Sequence, residues 1–182
     1  MAATRQSTES ETASGRLTAR RVVGLWGIIV ATGWIVTQLA ILTASTTETI
    51  QGGLTVFWLA GSLVPITVSM LWMRQNGFTG LFPVWTVLGV SGLVASFAAI
   101  GGIVNVEDVF VFGSLWFAGP AVGFFTTGQY MNNWSSRLYN VAGILNLIAA
   151  LGVVAPGFGT VYAAVAAVIQ GGPMVYHALK MN

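Results

Sequence analysis

Six runs of apolar residues follow one another along this chain, and none has an Asp, Glu, Lys or Arg in its interior. Each approaches the ~20 residues that a helix needs to cross the ~30 Å hydrocarbon core of a bilayer. They are read at Arg21–Ala44, Gly53–Met73, Leu81–Val104, Val109–Met131, Leu138–Ala155 and Phe158–Leu179. Polar or helix-breaking separators lie between them: Thr46-Thr47-Glu48, Arg74-Gln75-Asn76-Gly77, Asn105-Val106-Glu107-Asp108, Asn132-Asn133-Trp134-Ser135-Ser136-Arg137 and Pro156-Gly157. Such short connections make sequential helices antiparallel neighbours. The expected fold is all-α, a polytopic membrane protein with a six-transmembrane-helix bundle over residues 20–182.

Composition points the same way. Apolar residues fill 55% of the 182 positions and charged residues only 7%, against roughly 25% charged in a soluble domain. Too few charges remain to build a water-facing surface, so the bilayer is the expected partner. Residues 1–19 carry almost no large apolar side chains and are expected to form a disordered cytoplasmic tail, since they cannot offset their ordering entropy. The first apolar run exceeds the ~7–15 residues of a signal-peptide core, and is expected to stay as an anchor.

Orientation follows from the basic residues, which favour the cytoplasmic side of short loops. Arg5, Arg16, Arg20 and Arg21 precede the first run, Arg74 follows the second, Arg137 lies between the fourth and fifth, and Lys180 follows the sixth. Six spans put all seven on one side, with Glu48, Glu107 and Asp108 opposite; five or seven spans would break the alternation. Both termini are therefore expected in the cytoplasm, and the plasma membrane is the expected location.

What the spans carry is neutral polarity at helical spacing. Ser62 and Ser69 lie in the second run. Trp116, Pro120, Gly123 and Thr127 share a stripe of the fourth, Tyr139 and Asn146 lie in the fifth, and Gln170 and His177 in the sixth. Membrane helices pack through small residues and interhelical hydrogen bonds, which accounts for such stripes without any ligand. The sharper reading makes these ten residues the lining of a cavity. Ser62, Asn146 and Gln170 then lie near mid-depth, and Ser69, Thr127, Tyr139 and His177 toward the cytoplasm. Amides are costly to leave unpaired in hydrocarbon, so Asn146 and Gln170 are expected to bond to each other or to backbone. His177 is expected at a wetted helix end, with its tip reaching the headgroups. Pro120 and Pro173 lie within runs and should kink them.

Several chemistries are excluded. Without cysteine there is no disulfide, thiolate metal site or cysteine nucleophile. One histidine cannot make a bis-histidine haem, and no span holds the lysine that a retinal Schiff base requires. Seven dispersed cations make no nucleic-acid patch. No cofactor is expected. Intramembrane charge commonly marks proton relays and voltage sensors, and its absence argues against both. The expectation is a non-enzymatic protein that binds or carries a neutral or lipophilic small molecule in an interior cavity. The alternatives are a subunit that meets a membrane partner or a second copy through Ala163, Ala167 and Gly171 or Gly119 and Gly123, and a lipid-modifying enzyme with His177 as base. Finally, Leu25-Trp26 with Ala31, Gly33, Trp34 and Thr37 matches Leu115-Trp116 with Ala121, Gly123, Phe124 and Thr127 at a constant offset, the pattern of an inverted three-plus-three repeat.

Overall fold

The computed structural model describes residues 18–43, 47–76, 82–100, 109–153 and 155–181. Within them the chain is all helical, with six helices and no strand. These are α1 (Ala19–Thr43), α2 (Thr47–Asn76), α3 (Phe82–Ile100), α4 (Val109–Tyr130), α5 (Asn133–Gly152) and a composite α6. After a 3₁₀ turn at Phe158–Thr160, α6 runs from Tyr162–Ala166 through a π-helical turn, Ala167–Gly171, into Gly172–Lys180. Nearly all of the expected tail lies outside the described residues.

Two boundaries differ from the sequence expectation. Glu48 belongs to the first turn of α2, and Trp134-Ser135-Ser136-Arg137 opens α5 rather than joining it to α4. The reversal between α4 and α5 is compressed into Asn132, extended at φ −112° and ψ 156°, and Asn133, left-handed at φ 55°, a region that asparagine enters more readily than most residues. The two serines then take up carbonyls at the junction: Ser135 Oγ donates to Asn132 at 2.8 Å and Ser136 Oγ to Gly128 at 2.7 Å. Gly128 lies in the last turn of α4, whose final carbonyls have no intrahelical donor.

Two stretches, Ala19–Ala40 and Phe57–Gln75, are long and apolar enough to cross a membrane; a third, Pro83–Val94, is apolar but shorter. The other expected spans do not meet that measure among the described residues. In α5 this follows from Asn133, Ser135, Ser136, Arg137, Asn140 and Asn146, and in α6 from its division at the π turn.

The helices close a ring: α1 packs between α2 and α6, α6 reaches α5, α5 packs on α4, α4 on α3, and α3 on α2. Cross-helix pairs run in opposite senses. Trp26 meets Ser69 while Trp58 meets Thr37, and Tyr139 meets His177 while Asn146 meets Gln170. This antiparallel order gathers Arg20, Arg21, Arg74, Arg137 and Lys180, all exposed, at one end. Contact between α1 and α6 is close at Gly27, where an added Cβ would lie 2.8 Å from the Val175 nitrogen, and closer at Gly171, where one would lie 2.7 Å from the Ala31 Cα.

Large apolar side chains point outward on every helix: Ile35 and Leu39, Leu63 and Met70, Val87 and Val94, Leu115 and Val122, Ile144 and Ile148, Val168 and Leu179. Thr37, Ser69, Thr127, Asn146, Gln170 and His177 are buried. Between them lie two apolar clusters. One joins Trp34, Phe117 and the alanines 149, 150, 163, 166 and 167; the other, nearer the cationic end, joins Phe124, Tyr139, Ala142 and Met174.

Candidate functional site

Asn146 and Gln170 face each other across α5 and α6. Gln170 Nε2 donates to Asn146 Oδ1 at 3.0 Å and also to the Trp116 carbonyl at 3.0 Å, while Gln170 Oε1 accepts from Trp34 Nε1 at 2.8 Å. Asn146 Nδ2 donates to Ala142 of its own helix at 2.9 Å and to Ile169 at 3.4 Å. The two recipient carbonyls on other helices have something in common. Trp116 stands four residues before Pro120 and Ile169 four before Pro173, so the ring nitrogen that would have donated to each carries no hydrogen. One amide pair thus serves both carbonyls that these two prolines release, tying α4 and α6 together at those points. Such bonds between membrane helices contribute about 0.6 kcal/mol each and at most ~1.7.

A second arrangement occurs twice. Thr37 Oγ1 donates to Gly33 at 2.8 Å and accepts from Trp58 Nε1 at 3.1 Å. Thr127 Oγ1 donates to Gly123 at 2.7 Å and accepts from Trp85 Nε1 at 3.0 Å. In each case the indole lies flush against the glycine: a Cβ on Gly33 would come 2.7 Å from Trp58 Cη2, and one on Gly123 2.8 Å from Trp85 Cη2. A Gly-x-x-x-Thr cleft on one helix therefore seats a tryptophan of its neighbour. Gly33 and Thr37 correspond to Gly123 and Thr127 in the offset match. The visiting tryptophan, however, comes from α2 in one case and α3 in the other, whereas an inverted three-plus-three repeat would pair α4 with α5.

At the cationic end, Val23, Trp26, Trp85, Thr127, Met131, Tyr139 and Met174 surround a pocket of about 40 Å³. Ligand pockets for drug-sized molecules run to ~300–1,000 Å³, so this one admits only a thin group. Its polar lining is engaged: Trp26 Nε1 donates to Ser69 Oγ at 2.7 Å, and the Tyr139 hydroxyl meets His177 Nδ1 at 2.7 Å. Behind the pocket the Trp134 ring stands edge-on to His177 at 5.4 Å. His177 is accordingly buried, not wetted, because the early start of α5 brings Trp134 onto the helix that covers it.

The ten sequence candidates therefore divide. Thr127 and Tyr139 line the pocket, with Ser69 and His177 directly behind its wall. Trp116, Asn146 and Gln170 form the amide network; Pro120 frees the Trp116 carbonyl that the network takes up, and Gly123 seats the Trp85 indole. Ser62 is half-buried and takes no part in that network. Ala163, Ala167, Gly171 and Gly123 are packed inside the chain. Sequence reasoning missed Trp26, Trp85, Met131 and Met174 as lining; for Trp26, Met131 and Met174 the signal that could have found them is their placement within six residues of Arg21, Arg137 and Lys180. Among the described residues no group of His, Cys, Asp or Glu could hold a metal ion, and every buried side-chain nitrogen and oxygen has a hydrogen-bond partner. Comparison with known protein families, with curated proteins and with solved structures found no match.

Proposed function

We propose that this chain is an integral membrane protein whose six helices all cross the bilayer, with both termini in the cytoplasm. On this reading it binds a lipophilic small molecule in the pocket at the cationic end. The membrane assignment draws support from the outward apolar side chains on all six helices, not only on the two long ones. A soluble protein rarely exposes apolar patches beyond a few hundred Å². The orientation draws support from the gathering of Arg20, Arg21, Arg74, Arg137 and Lys180 at one end. The plasma membrane is the proposed site.

The observation that carries the binding reading is the pocket itself, walled by three aromatic rings and two thioethers. Mass spectrometry of protein purified in mild detergent should find a co-purifying lipophilic molecule, and Val23→Phe should abolish its retention. An equal amount retained by the variant refutes the site. The partner reading has less support, since four of the five small residues that would form its surface, all but Gly119, are packed inside the bundle, and native mass spectrometry of the intact chain tests it. A lipid-modifying enzyme has less still: the His177 Nδ1 nitrogen is committed to Tyr139, and no carboxylate stands at that end of the described helices.

A further inference from the structure

We infer that the pocket receives the alkyl end of an anionic single-chain amphiphile, whose headgroup rests among the cations at the same end of the bundle. This rests on the lipophilic-binding reading above and adds the charge and shape of the ligand.

Three observations carry it. First, each polar group that lines the pocket already has a partner within the protein. The indole hydrogens of Trp26 and Trp85 go to Ser69 and Thr127, the Thr127 hydroxyl goes to Gly123, and the Tyr139 hydroxyl is joined to His177. What remains are ring faces, the Val23 methyls and the thioethers of Met131 and Met174, surfaces suited to hydrocarbon. Second, a volume of about 40 Å³ suits one chain end and excludes a pair, which favours a single-chain amphiphile over a two-chain lipid.

Third, three of the helices that line the pocket end in cations. Arg21 precedes Val23 and Trp26 on α1, Arg137 precedes Tyr139 on α5, and Lys180 follows Met174 on α6. At ~1.5 Å of rise per residue, these cations stand about 3 to 9 Å along the axis from the lining side chains. Arg20 and Arg74 add two more, all five are exposed, and no acidic side chain lies at that end among the described residues. The positive-inside rule places cations at a cytoplasmic end but supplies no apolar recess beneath them. An amphiphile with its chain in the recess and an anionic head at the rim satisfies both features, and a cationic head is repelled.

The test uses the full chain in nanodiscs of zwitterionic lipid, titrated with terminally brominated medium-chain probes that bear a carboxylate, a phosphate, an alcohol or a trimethylammonium head. Bromine in the pocket quenches the adjoining Trp26 and Trp85. Quenching should saturate at about tenfold lower concentration for the carboxylate than for the alcohol, an advantage of the size expected from one or two surface cations. The phosphate arm separates the two anionic heads. The advantage should vanish in the Arg137→Gln, Lys180→Gln double variant and shrink in high salt. Val23→Phe, or Met131→Phe from the opposite wall should the first fail to fold, should remove saturable quenching by every probe. Equal affinity for carboxylate, phosphate and alcohol, or tightest binding of the trimethylammonium, overturns this inference and leaves the lipophilic reading intact. Anion quenching that persists in both filled variants places the anion at the rim alone and also overturns it. Absence of saturable quenching by any probe sinks both readings.

Discussion

Replacing Gln170 by Leu removes three hydrogen bonds while keeping most of the side-chain volume. It takes the Gln170 acceptor from the Trp34 indole and the Gln170 donor from the Trp116 carbonyl and Asn146 Oδ1. At ~0.6 to 1.7 kcal/mol per bond between membrane helices, the expected loss is about 2 to 5 kcal/mol. For a chain of this size that corresponds to a melting temperature lower by about 4 to 20 °C. The assay is the monodisperse fraction left after heating in detergent, read by size exclusion so that altered tryptophan emission cannot mislead it. A cycle with Trp34→Phe isolates one bond and should return a coupling of ~0.5 kcal/mol or more. If Gln170→Leu melts with the parent, or the two changes add to within ~0.3 kcal/mol, the amide pair does not brace the bundle.

Gly33→Ala and Gly123→Ala should each cost about 1 to 3 kcal/mol by overpacking, because the new methyl would press on an indole. Gly119→Ala should stay within ~0.5 kcal/mol, since nothing lies within 4 Å of its added Cβ; thermal melts that rank Gly119→Ala with the other two contradict the packing. Thr37→Val and Thr127→Val each leave one indole hydrogen unbound and should cost about 1 kcal/mol. Only the second should shift the emission of a tryptophan beside the pocket, so a shift in both variants would detach that signal from Trp85. The chain has no native cysteine, so Arg74→Cys and Arg137→Cys can be probed singly with an impermeant thiol reagent in sealed cells. Both should be protected from outside, and labelling of one alone dismantles the six-span topology.

Much of this was legible before any coordinates. Uncharged apolar runs with short polar separators announce antiparallel helices, and counting depth from the helix ends puts Asn146 and Gln170 at the same level, where two amides can meet. The start of α5 was not legible, because Asn-Trp-Ser-Ser-Arg suits a turn as well as a first helical turn whose hydroxyls take up nearby carbonyls. The indole partners were hidden for a different reason. Whether Trp85 meets Thr127 or lipid depends on the rotation of α3 about its axis, which an apolar run with little periodic asymmetry does not encode. The same ambiguity made the offset match resemble an architectural duplication, when its glycine and threonine mark a local seat for an aromatic ring. Placing Ser62 with the amides failed similarly: depth was estimated correctly enough to compare helices, but its azimuth was not.

The shared clasp on the two proline-freed carbonyls also bears on biogenesis. Ribosomes deliver α4 well before α6, so during synthesis the Trp116 carbonyl and the Trp34 indole precede the Gln170 amide that joins them. The later helix α6 supplies that amide, and a chain halted after Gly152 would lack it. The arrival of α6 is in this sense chemically marked in the interior of the protein.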